Sequence, residues 1–493
     1  MLLSSALLTT GLVVLGLTDD VHAHPAHAPF LSIPLSRLGP RPETHPLPPT
    51  IVHQQHVNRA IRRHELMTGA TTTPDHVLIE NLRRRAAALP PHLQKRFNHP
   101  GLEALFRHPQ AGERDESQNS SSASYKAEGS TREGLTPATK PTFKHTLGLD
   151  IQGQDIGYVA TLQIGTPPRD FRLLMDSGSA DLWVGAEGCK SQDPFDDQEG
   201  CGKHTFLGPQ SSSTFNDTKK PWKIQYGTGA VSGTLVKDTL VIAGLKLPNY
   251  RFGVARVESG EFTPDYIPFD GLAGLAKATI SQQGTVPLVE ALYAAKCIPA
   301  PVVSYHIPRF RDGYNKGELT LGGLNPDKYD PNTLVRLRNI SPFGFWEAHV
   351  DAVKVGGKDL GWSTRTALFD TGTTLLIAPP ADVSAIHAHI PGAYQDPDGL
   401  GGWTVPCVPK KSKSPVMTLT LGGRSFAVDA RDIAFLPVDE ANPQGNCTSG
   451  ITAGTPGGPQ QWLVGDVFLK SVYMSTDIAS DTITFAKLKK RAK

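Results

Sequence analysis

Phe171-Arg172-Leu173-Leu174-Met175-Asp176-Ser177-Gly178-Ser179-Ala180-Asp181-Leu182-Trp183-Val184-Gly185 is the stretch on which the reading of this chain turns. An apolar run delivers an aspartate, and a small hydroxyl residue, a glycine and a second hydroxyl residue follow at once. The same pattern returns 194 positions later in Thr366-Ala367-Leu368-Phe369-Asp370-Thr371-Gly372-Thr373-Thr374-Leu375. From average amino-acid usage, Asp-[Ser/Thr]-Gly arises by chance about 0.2 times in a chain of this length, and here it occurs twice. One copy alone reads as an ordinary turn after a strand, because Asp, Ser and Gly are turn residues.

The repeat extends further. Phe269-Asp270-Gly271-Leu272-Ala273-Gly274 follows the first copy and Trp462-Leu463-Val464-Gly465-Asp466 the second. Asp176 and Gly274 are 98 positions apart, Asp370 and Gly465 are 95 apart. Matched partners at matched spacing imply two similar lobes. A pseudo-twofold axis between such lobes brings their equivalent loops together, and with them two carboxylates.

These motifs resemble those of the pepsin-like aspartic peptidases (family A1), and more closely their secreted fungal, polyporopepsin-type members. The resemblance covers roughly residues 147–487. It implies an all-β, bilobal fold: two pseudo-twofold related β lobes with a few short helices, residues 147–328 and 329–493. It implies a secreted aspartic endopeptidase that hydrolyses polypeptides at acid pH, is pepstatin-sensitive, uses neither cofactor nor metal, and acts as a monomer. Asp176 and Asp370 would be the catalytic pair. Ser177, Gly178, Ser179, Thr371, Gly372 and Thr373 would hold it: Ser177 and Thr371 bonding across the axis, Ser179 and Thr373 bonding the outer carboxylate oxygens, and the glycines letting backbone N–H groups approach. Gly274 and Gly465 fit the family's ψ-shaped loops. Ser177 stands where threonine is commoner, which keeps the hydroxyl and loses a methyl.

The chemistry has its own logic. Two carboxylates at hydrogen-bond distance do not both ionise easily, so the pair shares a proton and titrates in two separated steps. The ionised partner can then take a proton from an attacking water while the protonated partner donates to the carbonyl oxygen. A relative without activity would lose an aspartate, a glycine or the flap tyrosine, and all are present. Hydrolases that use serine or metal need Gly-x-Ser-x-Gly or His-Glu-x-x-His, which this chain lacks.

The rest follows in chain order. Residues 1–23 read as a secretory signal peptide: Leu7 to Leu17 is mostly apolar and Val21-His22-Ala23 suits cleavage, although the amino-terminal region has no Lys or Arg. A membrane anchor is the rival reading, but Asp19-Asp20 interrupts the run before the roughly 20 residues a span needs. No other stretch is long and apolar enough, so no membrane association is expected. Extracellular release and delivery to a vacuole both stay open.

Residues 24–144 hold sixteen Lys and Arg against ten Asp and Glu, and ten of the chain's 17 histidines. They read either as a disordered basic arm or as a pro-segment, an intramolecular inhibitor strapped over an acidic cleft. Acid would release such a strap as its histidines charge and the cleft's carboxylates neutralise. Leu31 to Arg37 resembles the start of fungal pro-segments and alternates like a strand. His53–Leu66 and His76–Ala88 read as helices, Gln94-Lys95-Arg96-Phe97 as a dibasic processing site, and Glu113–Lys140 as a flexible linker. Pro-segment and linker together span 24–146. The whole chain has a net charge of +2, which suggests no nucleic-acid partner.

Trp222 to Gly233 reads as a hairpin with a glycine-rich tip. By resemblance it is the flap, with Tyr226, Gly227 and Thr228 over the substrate and Tyr226 bonded to Trp183. Thr228 stands where trypsinogen-activating relatives carry aspartate, so lysine is not expected to be favoured next to the scissile bond; bulky apolar residues are. Cys189 and Cys201 flank an acidic loop and should pair in an oxidising compartment; a metal site there lacks the other ligands it would need. The resemblance gives a second disulfide, Cys407 with Cys447, and leaves Cys297 as the odd cysteine, expected as a small buried residue. Thr285–Cys297 reads as an amphipathic helix. Asn119, Asn216, Asn339 and Asn446 head glycosylation sequons, Asn446 being the least favourable beside Cys447. The basic tail Lys487–Lys493 reads as a solvated end.

Overall fold

A computed structural model describes residues 49–69, 71–88, 135–192, 200–226, 229–265, 267–397, 401–408, 416–439, 441–454 and 459–489. The signal reading, Leu31–Arg37, the dibasic site, Asn119, Gly227, Thr228 and the end of the basic tail lie outside these residues. Among the described residues no helix is long and apolar enough to cross a membrane.

Strands dominate, as the all-β expectation requires. Most of the first half forms a nine-stranded sheet. In it, strand Arg169–Asp176 runs parallel to Gly271–Gly274, which in turn runs antiparallel to Leu182–Ser191. The second half repeats this arrangement: Arg365–Phe369 runs parallel to Gln461–Val464, which runs antiparallel to Leu376–Ala378. Register places Gly274 opposite Asp176 and Val464 opposite Phe369. The N–H of Gly274 donates to the carbonyl of Asp181, and that of Gly465 to the carbonyl of Leu375, both at 3.0 Å. Each acceptor lies five residues after its aspartate. The doubled motif is therefore a doubled piece of architecture: Asp176 ends, and Asp370 directly follows, a strand that is paired on both sides.

The halves are not joined by a tether alone. A six-stranded sheet takes Thr146–Gly148, Val302–His306 and Glu318–Leu321 from the first half, and Val335–Arg338, Val472–Asp477 and Thr482–Lys487 from the second. Val302–His306 and Val472–Asp477 pair antiparallel at its centre. Val335–Arg338, at the start of the second half, is an edge strand of this shared sheet. One apolar core, including Phe171, Phe252, Trp346, Phe369, Trp462 and Phe485, runs through both halves.

Helix α1 is Pro49–Thr68 and helix α2 is Asp75–Ala87, each close to its expected span. Three local expectations change. Leu135–Thr136, inside the stretch expected as linker, is a strand paired with Asp150–Gln152. Its neighbours are tied by Ala138 N–H to Asp150 Oδ1 (2.7 Å) and Asn315 Nδ2 to the Thr136 carbonyl (3.0 Å), so hydrogen bonds hold a strand whose one apolar side chain, Leu135, is only half-buried. The helix expected over Thr285–Cys297 is only Leu288–Ala294. Pro287 bounds it at the start, and Lys296 at φ 57° turns the chain left-handed at its end. Cys297 is half-buried at the core's margin, with Sγ 3.8 Å from the Lys246 carbonyl.

Candidate active site

Asp176 and Asp370 are both fully buried and meet where the repeated loops face each other. The loops interlock through their hydroxyls. Thr371 N–H donates to Ser177 Oγ (2.9 Å), Ser177 N–H donates to Thr371 Oγ1 (3.0 Å), and Thr371 Oγ1 donates to the Met175 carbonyl (3.0 Å). Each carboxylate is then held twice from its own loop. Gly178 N–H and Ser179 Oγ donate to Asp176 at 2.9 and 2.6 Å; Gly372 N–H and Thr373 Oγ1 donate to Asp370 at 2.9 and 2.5 Å. A Cβ on Gly178 would stand 2.5 Å from Asp370 Oδ1, and one on Gly372 would collide with Asp176 Oδ1. The missing side chains are what let each carboxylate reach over the other lobe's loop.

A third group completes the arrangement, and sequence reasoning did not name it. Arg63 of α1 lies across both aspartates: Nη2 donates to Asp176 Oδ1 and Nε to Asp370 Oδ2, with Nη2 also 2.9 Å from Asp370 Oδ1. Burial opposes the guanidinium's charge, but the two carboxylates more than restore it. The aspartates respond unequally. Burial, together with the charge of Asp370, pushes the Asp176 carboxyl up against the pull of Arg63. For Asp370, burial acts upward too, but the charge and hydrogen bond of Arg63, with Thr373 and Gly372, hold it below the usual carboxylate range.

Helix α1 reaches this position by lying along the second half of the chain. Val57, Ala60 and Met67 are buried against Phe345, Leu368, Leu375, Ile377, Phe435, Leu436 and Leu463. Its polar residues are buried too, among them His53, His56, Arg63 and His64. His53 Nε2 lies 2.9 Å from the Ser449 carbonyl. Burial lowers His53 and His64 to about 4, and His56 well below its ordinary value. Helix α2 braces α1: Asn58 Nδ2 donates to the Leu78 carbonyl (3.0 Å) and Arg85 Nε to Gln54 Oε1 (3.1 Å). One signal could have found Arg63. It stands at helical spacing inside the stripe Val57, Ala60, Met67, a cation set into the apolar face of a helix.

Trp183 Nε1 donates to Tyr226 Oη (2.8 Å), and both rings pack with Phe262 at 5.3 and 6.0 Å. Tyr226 stands at the end of strand Asn216–Gln225, whose partner strand is Ala230–Ile242. Cys189–Cys201 and Cys407–Cys447 are disulfides. Glu258 lies close to the first, but bonded sulfurs offer no thiolate to a metal. Burial, then the charge of Asp270, pushes Glu258 up to about 8.

One candidate is corrected. Asn339 is buried: its Nδ2 donates to Asp481 Oδ1 (2.9 Å) and its Oδ1 accepts from Glu347 N–H (2.8 Å), so its amide is engaged inside the fold and not presented at the surface. Asn216 and Asn446 are exposed.

Comparison with known proteins agrees with this geometry. The family model of the eukaryotic aspartyl proteases matches residues 157–488. A probable aspartic-type endopeptidase CTSD of Trichophyton verrucosum (strain HKI 0517) is 33% identical over 353 residues, covering 71% of this chain and 65% of that protein. Pepsin A of Suncus murinus is 30% identical over 364 residues, covering 72% of this chain and 88% of its own. Pepsin-2B of Gadus morhua is 29% identical over 334 residues, covering 67% and 96%. The chain spans 65% of the length of the Trichophyton relative and of its Arthroderma benhamiae counterpart. By the family match, the similarity to pepsins and the interlocked Asp-[Ser/Thr]-Gly loops, this chain belongs to the eukaryotic aspartyl protease family.

Proposed function

We propose that the chain is the precursor of an acid endopeptidase in which Asp176 and Asp370 activate a water, and in which α1 blocks them until acid removes it. The observation that carries the reading is Arg63 lying across two buried carboxylates that are otherwise held by mirrored sets of bonds. A guanidinium there neutralises the pair and occupies the place a water would need.

Once α1 departs, the Arg63 guanidinium no longer offsets the two charges. Like charges this close share one proton. The ionised carboxylate accepts a proton from the water, whose oxygen bonds to the peptide carbonyl carbon. The protonated partner gives its proton to the carbonyl oxygen. Collapse of the resulting diol breaks the C–N bond as the amine nitrogen takes up a proton from the now protonated carboxyl and a diol hydroxyl returns one to the other carboxylate, which restores the shared proton. The bonds from Ser179, Thr373, Gly178 and Gly372 fix both carboxylates before substrate arrives, so little reorganisation is needed.

The substrates are polypeptides with bulky apolar residues around the cleaved bond. Leu368, Leu375, Ile377, Phe435, Leu436 and Leu463 support this reading, because the departure of α1 bares them as an apolar wall. Tyr226, with its hydroxyl tied to Trp183, would form the base of a flap that closes over the peptide and excludes water. The protein enters the secretory pathway, as the amino-terminal stretch suggests.

The test uses the secreted full chain, acidified and assayed on casein or haemoglobin with and without pepstatin. Pepstatin-sensitive digestion is expected, and Asp176→Asn or Asp370→Asn should remove it while leaving the circular dichroism spectrum intact. Digestion that persists in either variant excludes the two-carboxylate mechanism.

A further inference from the structure

The buried pair Arg85–Asp396 lies on the same face of the second lobe that α1 covers. Asp396 follows strand Tyr394–Gln395, which pairs with Trp403–Pro406. Its Oδ1 accepts from Thr404 Oγ1 (2.7 Å), and its N–H donates to the Gly402 carbonyl (3.0 Å). Its Oδ2 accepts from Arg85 Nη1 (2.8 Å), with the side chains of Arg85 and Asp396 only 6% and 9% exposed. A Cβ on Gly402 would stand 2.5 Å from Asp396 Oδ2 and would collide with Arg85 Nη2, so the hairpin backbone is cleared where the guanidinium enters.

Loss of α1 and α2 leaves this place half-furnished. Thr404 belongs to the lobe and continues to aim the carboxylate, while Oδ2 loses its cation. The Ser449 carbonyl loses His53 at the same time, on the strand Asn446–Ser449 that pairs with Thr404's own strand. A carboxylate aimed by Thr404 and stripped of its guanidinium partner is a ready site for another cation.

Its distance from the reacting centre can be gauged along α1. Gln54, which Arg85 touches, and Arg63, which touches the dyad, are nine residues apart on that helix. At the helical rise this is roughly 13 Å, about four residues of extended peptide.

We propose that Asp396, positioned by Thr404, is a substrate subsite that selects arginine or lysine about four residues from the cleaved bond, on one side of it. Arg85 occupies that subsite in the precursor. The inference rests on the endopeptidase reading above and adds a charged requirement to an otherwise apolar preference. Arginine engages Oδ2 with a planar fork; lysine reaches it with a single point of charge and is the weaker of the two.

The test is a peptide scan with acid-activated enzyme. A neutral peptide with two bulky apolar residues at its cleavage point receives Arg, Lys, Gln or Glu at each position from the second to the sixth on either side. Arg at about the fourth position of one side should raise kcat/KM about tenfold over Gln, the gain of one charge-assisted contact, and Glu there should lower it. In Asp396→Asn the Arg-to-Gln ratio should fall to near one. A flat profile in the wild-type enzyme overturns the subsite, and that measurement needs no variant to fold. An Arg preference that survives in Asp396→Asn overturns the assignment to Asp396. If no peptide is cut at all, the endopeptidase reading fails and the subsite with it.

Discussion

Ser177 and Thr371 exchange hydrogen bonds across the junction of the two loops, each hydroxyl accepting the other's backbone N–H at 2.9–3.0 Å. This reciprocity sets the relative position of Asp176 and Asp370. Ser177→Ala leaves the buried Thr371 N–H without its acceptor, a loss of about 1–3 kcal/mol. A shift of about an ångström in one carboxylate lowers kcat on the order of 100-fold. Ser177→Thr keeps the hydroxyl and should retain activity if its methyl fits. Melting temperature and kcat on one peptide, measured across the three proteins, check this; an Ala variant with full kcat would separate the bonds from the chemistry.

Arg63 is the cation that α1 inserts between the carboxylates. Arg63→Gln should leave two buried acids without a charge partner, and removing one member of such a pair typically costs about 3–5 kcal/mol. The docked helix is then weakened by a factor on the order of 100 to 5,000. Pepstatin should bind Arg63→Gln near neutral pH, where the wild-type precursor excludes it. Titration of the full chain with labelled pepstatin reads this directly, and equal exclusion by both proteins would mean that α1 is held by its apolar stripe alone.

If α1 is released in acid, as proposed above, its histidines give that release a direction in pH. While docked, His53 and His64 are held at about 4, against about 6.5 for a free histidine. Above pH 6.5 both are neutral in either state and docking feels nothing. As pH falls from 6.5 toward 4, the released helix takes up protons that the docked helix refuses. Docking loses up to roughly 3 kcal/mol per histidine. Asp370 acts in the same sense at lower pH, because its depressed docked value makes the Arg63 contact present above the ordinary carboxylate range and lost as pH falls through it. His53→Gln and His64→Gln should each move the midpoint of pepstatin accessibility to more acid pH. An unmoved midpoint would assign the trigger to the carboxylates.

Surface modification should divide the sequons. Asn216 and Asn446 are exposed, whereas the amide of Asn339 is engaged inside the fold. Mass spectrometry of protein from a glycosylating host should find glycan at Asn216 and none at Asn339. Occupancy at Asn339 would require that loop to be open when glycan is added.

The fold and the paired aspartates were legible because both are written locally. An apolar run, a turn of fixed chemistry and a glycine at matched distance specify a strand, its exit and the neighbour it needs, and the second copy names the symmetry. The helices α1 and α2 were legible for the same reason. What stayed hidden depends on docking. A cluster of arginines in a basic segment points to an acidic surface but does not say that Arg63, rather than Arg62, meets the dyad. Asp396 is an ordinary loop acid until Arg85, 311 positions away, is seen beside it. Asn339 carries a sequon whatever its surroundings, and only its bonds to Asp481 and Glu347 show it turned inward. The strand at Leu135–Thr136 was hidden because it is two residues long and is held by pairing with Asp150–Gln152 and by Asn315, far along the chain.

The six-stranded sheet makes each half the other's edge protection. Val302–His306 has Val472–Asp477 along one side, so a separated first half would expose a long row of unpaired backbone groups at its middle. A protein nicked between residues 322 and 334 would stay stitched together by that seam. Movements that widen the cleft must therefore flex a common floor, and the two acids remain registered to it throughout.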